Sequence, residues 1–222
     1  MQNEIKFVEH IGLFSINRAR PKSCVHATEY CKQHCYCAKM ENLYMRHKDV
    51  VDQREEDYWR TLTGDIVKAD LATKKKSTAR VRLMSRGEAL VRTKDILKVR
   101  DICEQNPDTV FMLPTRAWRS NAMFHRMPAL LQGMPNLRLL FSTDPDCFGA
   151  AMNLIAKYMP NDLLARVTLT YFGLDEEWYR HSEAFHCPKT WDKKSGITCA
   201  TCEGGCFDED PSRLKIVHFK KH

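Results

Sequence analysis

From residue 77 onward the chain repeats one pattern: a short apolar run, then polar or turn residues, then a stretch whose apolar positions recur every three or four residues. The apolar runs predict buried strands and the longer stretches amphipathic helices. The strands fall at 80–84, 109–113, 138–141 and 167–171, and the points Val81, Val110, Leu139 and Thr168 are spaced 29 residues apart. That spacing is the length of one strand-helix unit, so the strands are expected to run parallel. The crossover helices are expected over 93–104, 120–132 and 148–159, with Asn106-Pro107, Met134-Pro135-Asn136 and Pro160-Asn161 as stops. Upstream, 11–16 predicts another strand, and 41–62 and 65–75 predict helices. Downstream, 214–219 has a β-like alternation.

The 222 residues, 43% hydrophobic and 28% charged, are enough for one packed core with a small appendage and exclude wholesale disorder. The division expected is an α/β body over 1–185 and a Cys-rich tail over 186–222, too short and polar for a core of its own. No run approaches the ~18–20 apolar residues that span a bilayer, and the first ten residues lack the apolar centre of a signal peptide. A cytoplasmic protein with no membrane partner is expected. The net charge of +7 permits nucleic acid as a partner. Substrate and oligomeric state leave no sequence signal. There is no Walker loop, G-x-G-x-x-G or G-x-S-x-G, so nucleotide hydrolysis, Rossmann cofactors and serine-hydrolase chemistry have no motif.

Ligands of parallel α/β folds bind at the carboxyl ends of the strands. The residues after the four strands are Ser85-Arg86-Gly87-Glu88, Pro114-Thr115-Arg116, Ser142-Thr143-Asp144 and Tyr171, and the Cys-rich loop after Ile16 falls at the same edge. Ten cysteines are the anomaly of the composition, because a reducing cytoplasm does not keep structural disulfides and clustered thiols there bind metal or do chemistry. Cys24, Cys31, Cys35 and Cys37 form one group. It lacks the C-x2-C pair common in zinc sites, which favours an iron–sulfur cluster over zinc. If Cys24, Cys31 and Cys35 ligate a four-iron cluster, one iron stays open and Cys37 stands beside it. Cys187, Cys199, Cys202 and Cys206 have the count and the C-x2-C element of a closed four-thiolate site, equally suited to zinc or to a four-iron cluster; Gly204 and Gly205 allow the chain to fold tightly around it. His26, His34 and His186 adjoin cysteines and are expected beside the metal or exposed. Cys103, Cys147 and Trp118 are expected in the core.

The run Cys24-x6-Cys31-x3-Cys35-Tyr36, the Ser85-Arg86-Gly87-Glu88 strand end, Phe111 to Arg116, Pro135-Asn136-Leu137-Arg138 leading to Ser142, the Cys187-Pro188 to Cys206 tail and Ile216-x5-His222 resemble the bacteriophage gene product 88 family, itself similar to radical S-adenosylmethionine proteins. The resemblance implies a partial (β/α) barrel with a [4Fe-4S] cluster in the 24–37 loop, a second cluster or zinc in the tail, and a location in the host cytoplasm. It implies that S-adenosylmethionine sits against the open iron, oriented by Glu88 as catalytic-site residue, with Ser85, Gly87, Arg116 and Ser142 around it. The motif of that larger group is C-x3-C-x2-C; here Cys37 comes one residue early, which leaves Cys24, Cys31 and Cys35 as the implied ligands. The rival expectation is a non-catalytic iron–sulfur or zinc protein that binds nucleic acid or a protein partner.

Overall fold

The computed structural model describes residues 5–9, 11–20, 22–35, 37–39, 41, 48–173, 184–191, 196–202, 206–207 and 214–220. Tyr36, Gly204, Gly205 and His222, named above, lie outside them. The strands are β1 (Lys6–Val8), β2 (Leu13–Ile16), β3 (Arg80–Leu83), β4 (Val110–Thr115), β5 (Leu137–Thr143), β6 (Val167–Gly173), β7 (Phe185–His186) and β8 (Lys215–Lys220). They form one sheet in the order β1-β2-β3-β4-β5-β6-β8-β7. β1 is antiparallel to β2, and every other pairing is parallel. The helices are α1 (Glu29–Gln33), α2 (Lys48–Thr61), α3 (Gly64–Ala72), α4 (Thr93–Gln105), α5 (Asn121–Phe124), α6 (Met127–Gly133), α7 (Phe148–Tyr158) and α8 (Pro188–Trp191). The expected mixed α/β architecture with a mostly parallel sheet is the one observed. No helix among the described residues is long and apolar enough to cross a membrane.

Alternation along the strands separates the two faces of the sheet. Phe14 and Ile16, Val81 and Leu83, Phe111 and Leu113, and Leu139 and Phe141 join one core with Trp59 of α2, Val67 of α3, Val99 of α4 and Ala151 of α7. Leu13, Met112 and Leu140, on the other face, pack with Ile11 and with Phe207 from the tail. The tail is therefore part of the cover of this second face, which carries no helix among the described residues, and its strands β7 and β8 extend the sheet beyond β6.

The 29-residue spacing locates the strands but not their register. Val81 pairs with Phe111 rather than Val110, and Leu139 pairs with Leu113 and Val167. Val81 and Leu139 belong to the helix-side core while Val110 packs on the opposite face, so Val81 and Val110 cannot be register partners: the pairing is set by which side chains each strand must bury. Two further differences have local causes. The expected 120–132 helix divides into α5 and α6, since Pro128 cannot donate to the preceding turn and sits instead in the first turn of α6. The 11–16 strand begins at Leu13, because Gly12 turns at φ +68° and returns the chain from β1, which the pattern did not predict.

Candidate functional site

The carboxyl ends of β2, β3, β4 and β5 lie side by side and deliver Asn17–Arg20, Met84–Glu88, Arg116 and Asp144 to one edge. The first cysteine loop is tied to that edge by its own polar groups. Thr28 Oγ1 caps α1 by accepting from Cys31 N–H (3.0 Å) and donates to Asp144 Oδ2 (2.5 Å). Tyr30 N–H donates to Asp146 Oδ2 (3.1 Å), and Arg119 donates to the His26 carbonyl (2.6 Å). Asp144, with no exposed surface, also pairs with Arg116 Nη1 at 2.7 Å, whose side chain is nearly buried. Cys147, expected in the core and buried there, has its Sγ 3.4 Å from Asp144 Oδ1 and 3.6 Å from Arg116 Nη1.

The loop after β3 turns sharply. Met84 adopts φ +76°, uncommon outside glycine, and is held there by its N–H to Ile16 O (2.7 Å) and by Arg82 Nε to its own carbonyl (3.1 Å). Ser85 N–H donates to Ser15 Oγ (3.1 Å) and Asn17 Oδ1 (3.0 Å). Gly87 has φ +79°, and a Cβ there would stand 2.3 Å from Arg18 O, so only glycine fits where this loop crosses the segment after β2. Arg86 is locked to Glu41 (2.8 Å), Asp52 and Glu55, and Glu41 also holds Arg20 (2.8 Å). Sequence reasoning missed this network. Its bonded pairs are separated by 21 to 45 residues and follow no local pattern.

Glu88 is buried. Its Oε1 accepts from Leu90 N–H (3.0 Å) and Thr115 Oγ1 (2.9 Å), and its Oε2 from Arg116 N–H (2.7 Å). These bonds join the β3 loop to the end of β4 and leave Oε2 one further acceptor position. Burial pushes its carboxyl from 4.5 up to about 7, against the pull of the three donors. The folded state therefore binds this proton more tightly than the unfolded chain. The stability it contributes is complete below about pH 4.5 and is lost as the pH rises through about 7. Glu88→Gln removes that dependence and should gain about 3 kcal/mol on the wild type between about pH 4 and pH 8. Urea unfolding at both pH values measures the gap, and a gap that stays constant would exclude the raised carboxyl.

Cys24, Cys31, Cys35 and Cys37 come together at this edge, each half-buried. The Cys24 thiol is pushed up to about 11, by burial first and then by Cys35 and Cys31. Burial raises Cys31 as well, with Arg116 pulling the other way. Cys35 instead falls to about 6, through a hydrogen bond with the Cys37 side chain first, helped by Ala38 N–H and the charge of Arg20. Cys37 Sγ also lies 3.6 Å from the Ser85 carbonyl. Thiols of this kind ionise when a metal displaces their protons. Arg20 and Arg116 supply positive charge beside them, which suits an anionic thiolate cluster. Buried Ser85 Oγ and His26 Nε2 have no hydrogen-bond partner among the described residues, and Ser142, whose carbonyl accepts from the buried Trp118, lies at the end of β5. Among the described residues no three His, Cys, Asp or Glu side chains converge tightly enough to hold a single metal ion. A cubane takes its thiolates at separate corners and needs a wider set.

The tail group is anchored from the second face of the sheet. Cys199 N–H donates to Ile11 O (2.9 Å), Arg80 Nη1 lies 3.4 Å from both Ala200 O and Cys202 O, and Arg138 Nε donates to Phe207 O (3.2 Å). Cys187 N–H donates to His218 O at the β7–β8 pairing (2.9 Å), adjacent to His186. The Cys206 thiol is raised by burial first and then by Cys199 and Cys187, which brings those three sulfurs into one neighbourhood.

Compared with known protein families, residues 2–205 match the family described as Gene product 88, and the chain belongs to that family. No curated protein matches the chain, and no solved structure does.

Proposed function

We propose that this Gene product 88 family member is a bacteriophage iron–sulfur protein of radical S-adenosylmethionine type, working in the host cytoplasm. Cys24, Cys31 and Cys35 would hold a [4Fe-4S] cluster, and Cys37 would stand beside Cys35 as a hydrogen-bonding partner. A second cluster, or zinc, would be held by Cys187, Cys199, Cys202 and Cys206. The observation that carries the reading is the meeting of three half-buried thiols with Arg20 and Arg116 at the carboxyl edge of the parallel strands. The sheet supports it: β1 apart, strands follow one another in near sequence order with the helical core on one face, as in a partial (β/α) barrel.

When bound and reduced, such a cluster supplies the electron for reductive cleavage of S-adenosylmethionine. The chain's own residues would bind and orient that cofactor. Ser85 Oγ offers an uncommitted hydroxyl, Glu88 Oε2 one acceptor position for an amino group, and Ser142 a hydroxyl at the end of β5, while Gly87 keeps the loop close. Arg116 would face the cofactor's carboxylate from its pairing with Asp144.

Adding S-adenosylmethionine to the reduced, anaerobic protein should change the electron paramagnetic resonance spectrum of the cluster and release 5′-deoxyadenosine. Glu88→Ala should weaken the spectral response by about 1–3 kcal/mol, the loss expected for a charged hydrogen-bond partner. An unchanged spectrum and intact cofactor, in protein with its cluster present, would overturn the enzyme reading. Salt-dependent binding of nucleic acid by that sample would then favour a non-catalytic binding protein.

A further inference from the structure

We propose that Thr28 is a positioning residue that couples the first cysteine loop to the arginine facing the cofactor's carboxylate, acting through Asp144. The inference rests on the cofactor reading above and adds to it the group that makes its two halves one site. Thr28 and Asp144 are both buried and lie 116 residues apart in the chain. The Thr28 hydroxyl accepts from Cys31 N–H (3.0 Å) and donates to Asp144 Oδ2 (2.5 Å). That same oxygen pairs with Arg116 Nη1 (2.7 Å). An amide N–H can only donate and a carboxylate can only accept, so a hydroxyl between them can serve both. A continuous line of short contacts therefore runs from the backbone of one proposed ligand, Cys31, to the guanidinium of Arg116.

The loop has further contacts at this edge, but those of Tyr30 N–H with Asp146 Oδ2 (3.1 Å) and of Arg119 with the His26 carbonyl (2.6 Å) are exposed. Water competes for exposed bonds of that kind, whereas a bond to a buried charged group is stronger and keeps its direction. The Thr28–Asp144 contact is the buried one of the three, and it fixes how the loop stands against Arg116. Asp144 in turn holds Arg116 by Nη1, which sets the plane of the guanidinium and the direction of its other N–H groups. Asp146 N–H (3.1 Å) and Cys147 Sγ (3.4 Å) lie on the second oxygen, Asp144 Oδ1, and keep the carboxylate from rotating. Carboxylate binding at Arg116 and metal binding at Cys31 would each favour the same arrangement of this line, so each should strengthen the other.

The test takes wild type, Thr28→Ser and Thr28→Val, each loaded anaerobically with iron and sulfide, reduced, and titrated with S-adenosylmethionine under electron paramagnetic resonance. Thr28→Val has nearly the same shape without the hydroxyl. It should need about tenfold more cofactor for the half-maximal spectral change, as when one hydrogen bond to a charged group is lost. Thr28→Ser keeps both bonds and should stay close to wild type. A fall in iron content alone, with the loaded fraction answering the cofactor as wild type does, would overturn the coupling and leave Thr28 a structural cap. The route through Arg116 is read by a double-mutant cycle: Arg116→Lys with Thr28→Val should lose less affinity than the two single changes combined, and full additivity would overturn it. If Thr28→Val takes up no iron, hydrogen exchange of the 28–33 segment in loaded wild type is the measurement. S-adenosylmethionine should slow that exchange, and an unchanged rate would overturn the coupling. Failure of the underlying reading looks different: loaded wild type that gives no response to the cofactor, or wild type that takes up no iron, would overturn that reading and this inference with it.

Discussion

Protein purified under strict exclusion of oxygen should be brown and carry about four to eight iron per chain, the content of one or two cubane clusters. The expectation follows from eight clustered cysteines drawn into two groups: one beside Arg20 and Arg116 at the carboxyl edge of the sheet, and one against its second face. The groups should respond differently to mutation. Cys31→Ala removes a proposed ligand from a loop that Thr28, Asp144 and Asp146 still hold, so the cluster signal should disappear while the fold survives. Cys202→Ala opens the group that covers Leu13, Met112 and Leu140, and it should lower the melting temperature as well as the metal content. Metal and sulfide analysis with thermal unfolding reads both effects. Stoichiometric zinc without iron in protein never exposed to air would exclude the cluster reading, and equal unfolding of the two variants would exclude the division of roles.

Asp144→Ala should destabilise the fold by about 3–5 kcal/mol, the cost of leaving a buried partner charge uncompensated. Asp144 is fully buried and gathers Arg116 Nη1, Thr28 Oγ1 and Asp146 N–H on its two oxygens. Removing it strands the guanidinium of Arg116 and releases the cap of α1, so the cysteine loop loses its tie to β5. Asp144→Asn keeps the shape and one oxygen but not the charge, and it should recover part of the loss. Denaturant unfolding of both variants tests this, and a change below about 1 kcal/mol for Asp144→Ala would mean that water reaches Arg116 and replaces the pair.

The elements most legible in the sequence are those with a strong local period. The crossover helices α4 and α7 begin at the positions their apolar spacing predicts and end within one residue of them; β5 and β6 contain the runs that announced them, and β3 stops one residue short of its run because Met84 turns at φ +76°. The cysteine groups were legible for a similar reason: their spacing in the chain is short, so a loop brings them together with little help from the rest of the fold. Ser85, Gly87, Glu88, Arg116 and Ser142 were identified as strand-end residues, and all five lie at the carboxyl edge of the parallel sheet.

What the tertiary structure alone decided is how those residues spend their hydrogen bonds and charges. Gly87 reads as a binding-loop glycine in sequence, yet its immediate reason is the carbonyl of Arg18, which leaves no room for a Cβ. Glu88 reads in sequence as a strand-end residue that orients a cofactor, and in the fold three donors from the chain surround it in the interior. Arg86, Glu41, Asp52 and Glu55 form one network, although nothing in the sequence neighbourhood of Arg86 separates it from the other arginines. A local pattern fixes a residue's face on its own helix or strand, through backbone periodicity. Its partner depends on which strands adjoin and in what register, and these contacts between distant segments are set by the packing of the whole sheet.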